Sequence, residues 1–241
     1  MARHVVHLGA AGVATPGAVG AELAIEGAEA EHLVKSKRLG TGEAVEAVDG
    51  AGVRLGCRVA GARKRVVTLE VVDRREEGPS RPEVEVWSAS PKGQRLERMI
   101  DGLTQVGVSG WRPLETKLGV VEPGSGKLGR LRRVMVEAVK QSGRSWDLEL
   151  GGGVGIGDVG AWAAGGGRVW VLEGGAGGEG GVAEGGHGRV LVLVGPEGGW
   201  TAGELDALER AGAVRVSLGE TVLRVETAAV VGAGLARWAG T

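Results

Sequence analysis

From Glu83 onward the sequence switches repeatedly between strand and helix periodicity, and this alternation narrows the possible folds more than any other feature. Glu83 to Ala89 reads as a strand. From Gln94 the apolar set Leu96, Met99, Ile100, Leu103 and Val106 follows the spacing of one helix face. Ser109 to Leu114 is a second strand, and Leu128, Leu131, Val134, Met135, Ala138 and Val139 mark a second helix that Gly143 stops. Arg168 to Glu173 and Arg189 to Val194 are short, nearly continuous apolar runs, the pattern of strands covered on both faces. Thr201 and Glu204 have capping-box spacing for a helix ending at Gly212; Val214 to Leu218 is a further strand, and a last helix covers about Glu226 to Trp238. The alternation predicts an α/β domain with a mostly parallel sheet.

The upstream part has another texture. Glu43 to Asp49 alternates with period two, and Asp49-Gly50-Ala51-Gly52 is a turn. Val53 to Val59 and Val66 to Val72 add strands around the basic stretch Gly61 to Arg65. Short strands at this spacing predict a small barrel or sandwich. Asp73 to Pro82, charged and holding two prolines, reads as a linker, which divides the chain into residues 1–75 and 82–241. Gly151–Gly160 and Gly174–Gly188 read as flexible, Gly-rich loops.

With 48 Gly, seven Trp and neither Phe nor Tyr, any core must rest on Val, Leu and Ala, with Trp as the one large wedge. Cys57 is the single cysteine, so no intrachain disulfide forms. The four His show no ligand spacing, and Val5-Val6 between His4 and His7 read as strand, so no metal site is expected. No apolar run reaches the roughly 18–20 residues of a membrane span and no leader is apparent, so a cytoplasmic protein with no membrane partner is expected. A net charge of −1 argues against a general polyanion binder. The charge is uneven, however: residues 1–150 carry +3 and residues 151–241 carry −4, so any nucleic-acid surface belongs mainly to the first part.

Two segments are candidates for chemistry. In Leu191-Val-Leu-Val-Gly-Pro-Glu-Gly-Gly-Trp-Thr201 a buried strand runs into a glycine loop and at once into a capped helix. Ligands of open α/β sheets sit beyond the carboxyl ends of strands, and Gly195, Gly198 and Gly199 let backbone approach a ligand unobstructed. The loop is neither a dinucleotide fingerprint nor a Walker A sequence; on spacing alone it reads equally as a tight turn. In Val216-Ser-Leu-Gly-Glu-Thr-Val-Leu-Arg-Val-Glu-Thr-Ala-Ala229 strand, loop and helix again succeed one another, with Arg224, Glu226 and Thr227 at the loop's end. Taken singly, these three are a helix cap and an ion pair as readily as a site.

Together the two segments closely resemble the cofactor loops of the RsmE family, SPOUT-class methyltransferases of a uridine N3 in small-subunit (16S) ribosomal RNA. The family's GPEGG-then-aromatic pattern is matched by Gly195–Trp200, and its SLG-x-x-(Ile/Val)-Leu-Arg-x-Glu-Thr-Ala pattern by Ser217–Ala228. The likeness extends through Lys92-Gly93, Leu103-Thr104, Gly107-Val108, Glu137-Ala138 and Gln141-Ser142-Gly143-Arg144, and upstream through Arg3, His32-Leu33, Arg38-Leu39 and Gly42-Glu43. The resemblance implies a PUA-like β-barrel for RNA joined to an α/β domain with a C-terminal trefoil knot, assembled as a homodimer and acting on assembled small ribosomal subunits. By the same resemblance Leu172, Gly195, Glu197, Gly198, Leu218, Leu223, Arg224 and Thr227 line an S-adenosylmethionine pocket. Arg224 stabilises the negative uracil as its proton leaves, with Glu226 or solvent as the weaker candidate for the base. Arg3, His32, Lys35, Lys37, Arg38, Arg63-Lys64-Arg65 and Arg144 are the expected RNA contacts. Gln105 replaces a usual carboxylate and Leu118 a usual Arg, departures that prompt as an alternative a SPOUT-fold RNA-binding protein with weak or no activity; a methyltransferase with another RNA target is a further alternative.

Overall fold

The computed structural model describes residues 4–11, 17–36, 39–63, 65–119, 125–175 and 188–239. They form two compact units, one from the residues up to Pro79 together with Val136–Asp147, the other from Ser80–Met135 and Leu148 onward.

The first unit is built on strands β1 (Val5–His7), β2 (Glu22–Glu26), β3 (Ala44–Val48), β4 (Val53–Arg63) and β5 (Val66–Glu76), with helix α1 (Gly27–Ser36). Their order in the sheet is β1-β3-β4-β5-β2; β1 runs parallel to β3 and the other pairs are antiparallel. Alternate residues of β2 (Leu23, Ile25), β3 (Val45, Ala47) and β5 (Val67, Leu69, Val71) face one core, closed by Ala30 and Leu33 of α1. That core contains no aromatic side chain among the described residues, in keeping with the absence of Phe, Trp and Tyr from residues 1–79. The β4–β5 hairpin is longer than the sequence suggests. Pairing with β4 carries β5 through Asp73–Glu76, although those residues read as linker, and β4 runs to Arg63 through a register shift between Val59 and Gly61. Backbone pairing tolerates charged residues whose side chains reach water, so polarity misplaced both strand ends.

The second unit contains β6 (Glu83–Ser88), α2 (Gln94–Gln105), β7 (Gly110–Glu115), the first part of α3 (Ser125–Ser142, which from Val136 on groups with the first unit), β8 (Glu149–Leu150), β9 (Val154–Gly155), α4 (Val159–Ala164), β10 (Arg168–Glu173), β11 (Arg189–Val194), α5 (Ala202–Arg210), β12 (Ala213–Ser217) and α6 (Val225–Ala239). The strands pair in parallel in the order β12-β10-β11-β6-β7-β8, with β9 also beside β7. This is the expected parallel α/β architecture. The buried stripe of α2 is Leu96, Met99, Ile100 and Leu103, four of the five positions the spacing predicts; Val106 caps the helix and is only partly buried. Trp87, Trp111 and Trp170 are buried and supply the bulk that Phe and Tyr would otherwise provide. α6 lies so close to the sheet that a Cβ at Gly232 would stand 2.6 Å from Leu172 Cδ1.

Gly151–Gly160 is not wholly loop. It holds β9, a 3-10 turn at Ile156–Asp158 and the start of α4, because Val154, Ile156 and Val159 pack into the sheet's core and Asp158 Oδ2 accepts from Gly155 N at 2.8 Å. Of Gly174–Gly188, only Gly174, Gly175 and Gly188 lie among the described residues. No described helix is long and apolar enough to cross a membrane, and no cluster of three or more potential metal ligands occurs among the described residues.

Candidate functional site

The order β12-β10-β11 makes the carboxyl ends of three consecutive strands neighbours, and the loops leaving them enclose a cleft of about 470 Å³. That is within the roughly 300–1,000 Å³ typical of small-molecule sites. The first wall is Gly195–Trp200. Gly199, with φ +74°, closes a turn by donating its N–H to Pro196 O at 2.9 Å. Trp200 then turns back under the loop, and its Nε1 donates to Leu172 O at 2.9 Å, tying the loop to the end of β10. A Cβ on Gly195 would stand 2.8 Å from that indole, so glycine here is a packing requirement. The second wall is Leu218–Val225. Ser217 Oγ donates to Gly175 O at 2.8 Å, and Gly219 at φ +118° makes a bend that L side chains rarely adopt.

Of the residues singled out from sequence, Leu172, Gly195, Glu197, Gly198, Leu218, Leu223 and Arg224 lie in the cleft wall. Thr227 does not; Ala228 stands there in its place. α6 begins at Val225, and with 3.6 residues per turn the position four after Arg224 returns to the same face, whereas Thr227 faces solvent. Glu226 also lies outside the wall, and its buried Oε2 has no hydrogen-bond partner among the described residues. Sequence reasoning missed Glu173, Trp200, Thr221, Val222 and Val225, which also line the cleft. Trp200 was legible as part of the motif, but nothing in the sequence says that an indole lies behind Gly195.

The cleft combines apolar strand ends (Leu172, Leu218, Leu223) with glycine backbone, two carboxylates and one cation. Glu197 pairs with Arg95 of α2 at 3.0 Å, and Glu173 with Arg215 at 3.6 Å. The exposed Arg224 side chain has no ion-pair partner among the described residues. Such a site suits a ligand with a flat apolar ring and backbone-bonding edges, with Arg224 free to meet negative charge.

The RNA candidates are spread more loosely. Arg3, Lys37, Arg38 and Lys64 lie outside the described residues, and for Lys35 the structure describes only its place in α1. His32 is exposed on α1, Arg63 is exposed at the end of β4, and Arg65 pairs with Glu31 at 3.2 Å. Arg144 is half-buried in the segment after α3 that groups with the first unit. His7 is structural: Nδ1 accepts from Ala10 N at 3.1 Å, which leaves Nε2 to donate to Asp147 Oδ1 at 2.8 Å.

Residues 78–237 match the family described as RNA methyltransferase domain, and residues 25–72 the family described as RNA methyltransferase PUA domain. Ribosomal RNA small subunit methyltransferase E of Mycobacterium bovis is 33% identical over 224 residues, covering 89% of this chain and 86% of that protein. Among solved structures, ribosomal RNA small subunit methyltransferase E of Neisseria gonorrhoeae, bound to S-adenosylmethionine, superposes with a TM-score of 0.83 at 21% identity, covering 97% of this chain and 95% of the other. A methyltransferase of Legionella pneumophila, also solved with S-adenosylmethionine, gives 0.81 at 22% identity over 99% and 98% of the two chains. The fold is that of these enzymes over nearly the whole length.

Proposed function

The chain belongs to the RsmE family of small-subunit ribosomal RNA methyltransferases, and from that premise we propose that it methylates N3 of a uridine in 16S ribosomal RNA on assembled small subunits. The observation that carries the proposal is the 470 Å³ cleft built by the two motif loops, with Arg224 in its wall. The cleft fits S-adenosylmethionine in kind: Leu172, Leu218 and Leu223 would offer apolar surface to it, and the glycine backbone would leave donors and acceptors within its reach. Bound there, S-adenosylmethionine supplies a methyl group activated on a sulfonium.

The chain's own residues have three tasks. The Gly195–Trp200 and Leu218–Val225 loops orient the methyl donor for in-line transfer. Arg224, always charged, stabilises the uracil as its N3 proton departs. Glu226 or solvent takes that proton. RNA binding falls to residues 1–75 with Arg144, through Arg3, His32, Lys35 and Arg38, and chemistry falls to residues 82–241, whose C-terminal loops we take to form the trefoil knot. Phosphate contacts of this kind position the substrate without reading its sequence.

A second copy of the chain is expected to complete the enzyme. Val231 and Trp238 lie seven residues apart on one face of α6, and Trp238 is 81% exposed. Sedimentation equilibrium at micromolar protein should therefore give twice the 24.5 kDa chain mass; a monomer mass refutes the dimer.

The function is tested with tritiated S-adenosylmethionine offered with small subunits, naked ribosomal RNA and tRNA in parallel. Label should enter the small subunits, and reverse transcription should stop at one uridine, because N3 lies on the pairing edge. Label confined to tRNA, or absent from all three, overturns the assignment. Gly195→Ala probes the cleft directly. Its Cβ displaces an indole already tied to Leu172 O. Overpacking of this kind costs about 1–3 kcal/mol, so cofactor affinity should fall about tenfold or more in calorimetry, with a shift in Trp fluorescence.

A further inference from the structure

Beyond β7, residues Thr116–Gly119 form a tight turn closed by Gly119 N donating to Thr116 O at 3.2 Å. The turn is attached to the rest of the unit through a buried carboxylate. Lys117 N donates to Glu204 Oε1 at 2.8 Å, across 87 positions of sequence. The other oxygen, Oε2, accepts from Thr201 N at 2.8 Å and from the Thr201 hydroxyl at 2.7 Å. Glu204 is only 5% exposed. Closing a capping box takes one side-chain oxygen, and Gln serves there as well as Glu. The second oxygen is therefore not needed by helix α5; it serves the turn.

The turn in turn backs the cleft. Gly198 lines the cleft but has no side chain, and a Cβ built on it would lie 3.3 Å from Leu118 Cδ1. Leu118, though 53% exposed, is thus the side chain that touches the Gly195–Gly199 loop at Gly198. The loop's far end is tied by Trp200 Nε1 to Leu172 O, while Glu197 to Arg95, nearer Gly198, is a partly exposed ion pair, and such pairs constrain little.

We propose that Glu204 is a positioning residue of the methyl-transfer site: it clamps the Thr116–Gly119 turn so that Leu118 holds the glycine loop in its ligand-binding shape. Leu118 therefore keeps a role despite standing where the family commonly has Arg. The inference rests on the cleft being the cofactor site.

Two substitutions in the full-length chain separate the clamp from the cap. Glu204→Gln keeps one oxygen for capping but turns an N–H₂ toward one of its two backbone donors. Thr201→Ala weakens the cap and leaves the Lys117 bond in place. In Glu204→Gln, hydrogen exchange at the Lys117 amide should accelerate, and the S-adenosylmethionine Kd should rise about tenfold, the order expected for one charge-assisted hydrogen bond. Single-turnover methyl transfer at saturating cofactor should stay within about twofold of wild type. Thr201→Ala should lower Tm yet leave both Lys117 exchange and Kd within about twofold, because Oε1 still holds Lys117 N and Oε2 keeps the backbone bond from residue 201. Equal Kd shifts in the two variants, or an unchanged Kd in Glu204→Gln, overturn the positioning role alone. Absence of cofactor binding by the wild-type chain overturns the functional reading beneath it.

Discussion

Arg224→Ala should reduce methyl transfer to small subunits by about 10²–10³-fold, the usual loss when one preorganised charge-stabilising group is removed. S-adenosylmethionine affinity should change by only a few fold, because the apolar residues, loop backbone and carboxylates that make up the rest of the wall are untouched. The effect should fall on the chemical step. Arg224 is exposed and has no ion-pair partner among the described residues, so none of these neutralises its charge. An anion forming at the mouth of the cleft would then pair with it only as the reaction proceeds, which is the condition for stabilising a transition state more than a ground state. Arg224→Lys keeps the charge but loses the planar fork, and should recover part of the rate. Single-turnover kinetics with saturating cofactor separate this from a binding defect; wild-type turnover in Arg224→Ala refutes the role. Glu226→Gln then decides between the two proton acceptors: a comparable loss of rate assigns Glu226, and retained rate assigns solvent.

How much of this site the sequence revealed depended on whether the signal was local. The capping box of Thr201 and Glu204 is a four-residue pattern, and its geometry is the one the pattern encodes. The stripe of α2 was equally plain, because periodic apolar positions report burial directly. The neighbouring ends of β10, β11 and β12 required a sheet order that no local pattern states, although each strand was recognisable alone. Errors arose where tertiary contacts overrode composition. Glycines around Val154–Val159 suggested a loop until three apolar residues found a core, and charges at Asp73–Glu76 suggested a linker until β4 paired with them. Thr227 illustrates the smallest of these gaps: its exclusion from the cleft wall is a matter of helix phase, fixed by where α6 starts. The second oxygen of Glu204 illustrates the largest, since nothing near it in sequence announces a partner 87 residues away.

The first unit holds a similar non-local device, and removing it should have the largest effect on stability. Arg54 Nε and Nη2 donate to the two oxygens of Glu77 at 2.6 and 3.2 Å, Nη1 donates to Glu46 Oε2 at 3.0 Å, and Nη2 also reaches Gly143 O. One guanidinium thus joins β3, β4 and the chain beyond β5 to the end of α3. Ser145 Oγ donates to the same Glu77, and Trp146 Nε1 to its carbonyl at 2.8 Å, so Gly143–Trp146 is fastened here as well as by the backbone bond from Gly52 N to Ser145 O. Arg54 is 12% exposed and Glu77 40%, so the pair is partly desolvated and the cost of breaking it belongs near the lower end for buried pairs. Arg54→Ala should therefore destabilise the chain by about 3 kcal/mol. At 2–4 °C per kcal/mol for a chain of this length, Tm should fall by roughly 6–12 °C at pH 7. The pH dependence has a definite sign. The hydrogen bond from Arg54 holds the Glu77 carboxyl below its ordinary value of 4.5, against the opposing effect of burial and with help from Ser145. A carboxyl depressed in the folded state contributes its full stability above the unfolded value and loses it as pH falls through the folded one. The difference in Tm between wild type and Arg54→Ala should accordingly be the same at pH 7 and pH 6, and shrink as the solution is acidified below pH 4.5. Paired thermal melts across that range measure it, and a difference that widens on acidification would show that Arg54 stabilises the unit by some route other than its carboxylates.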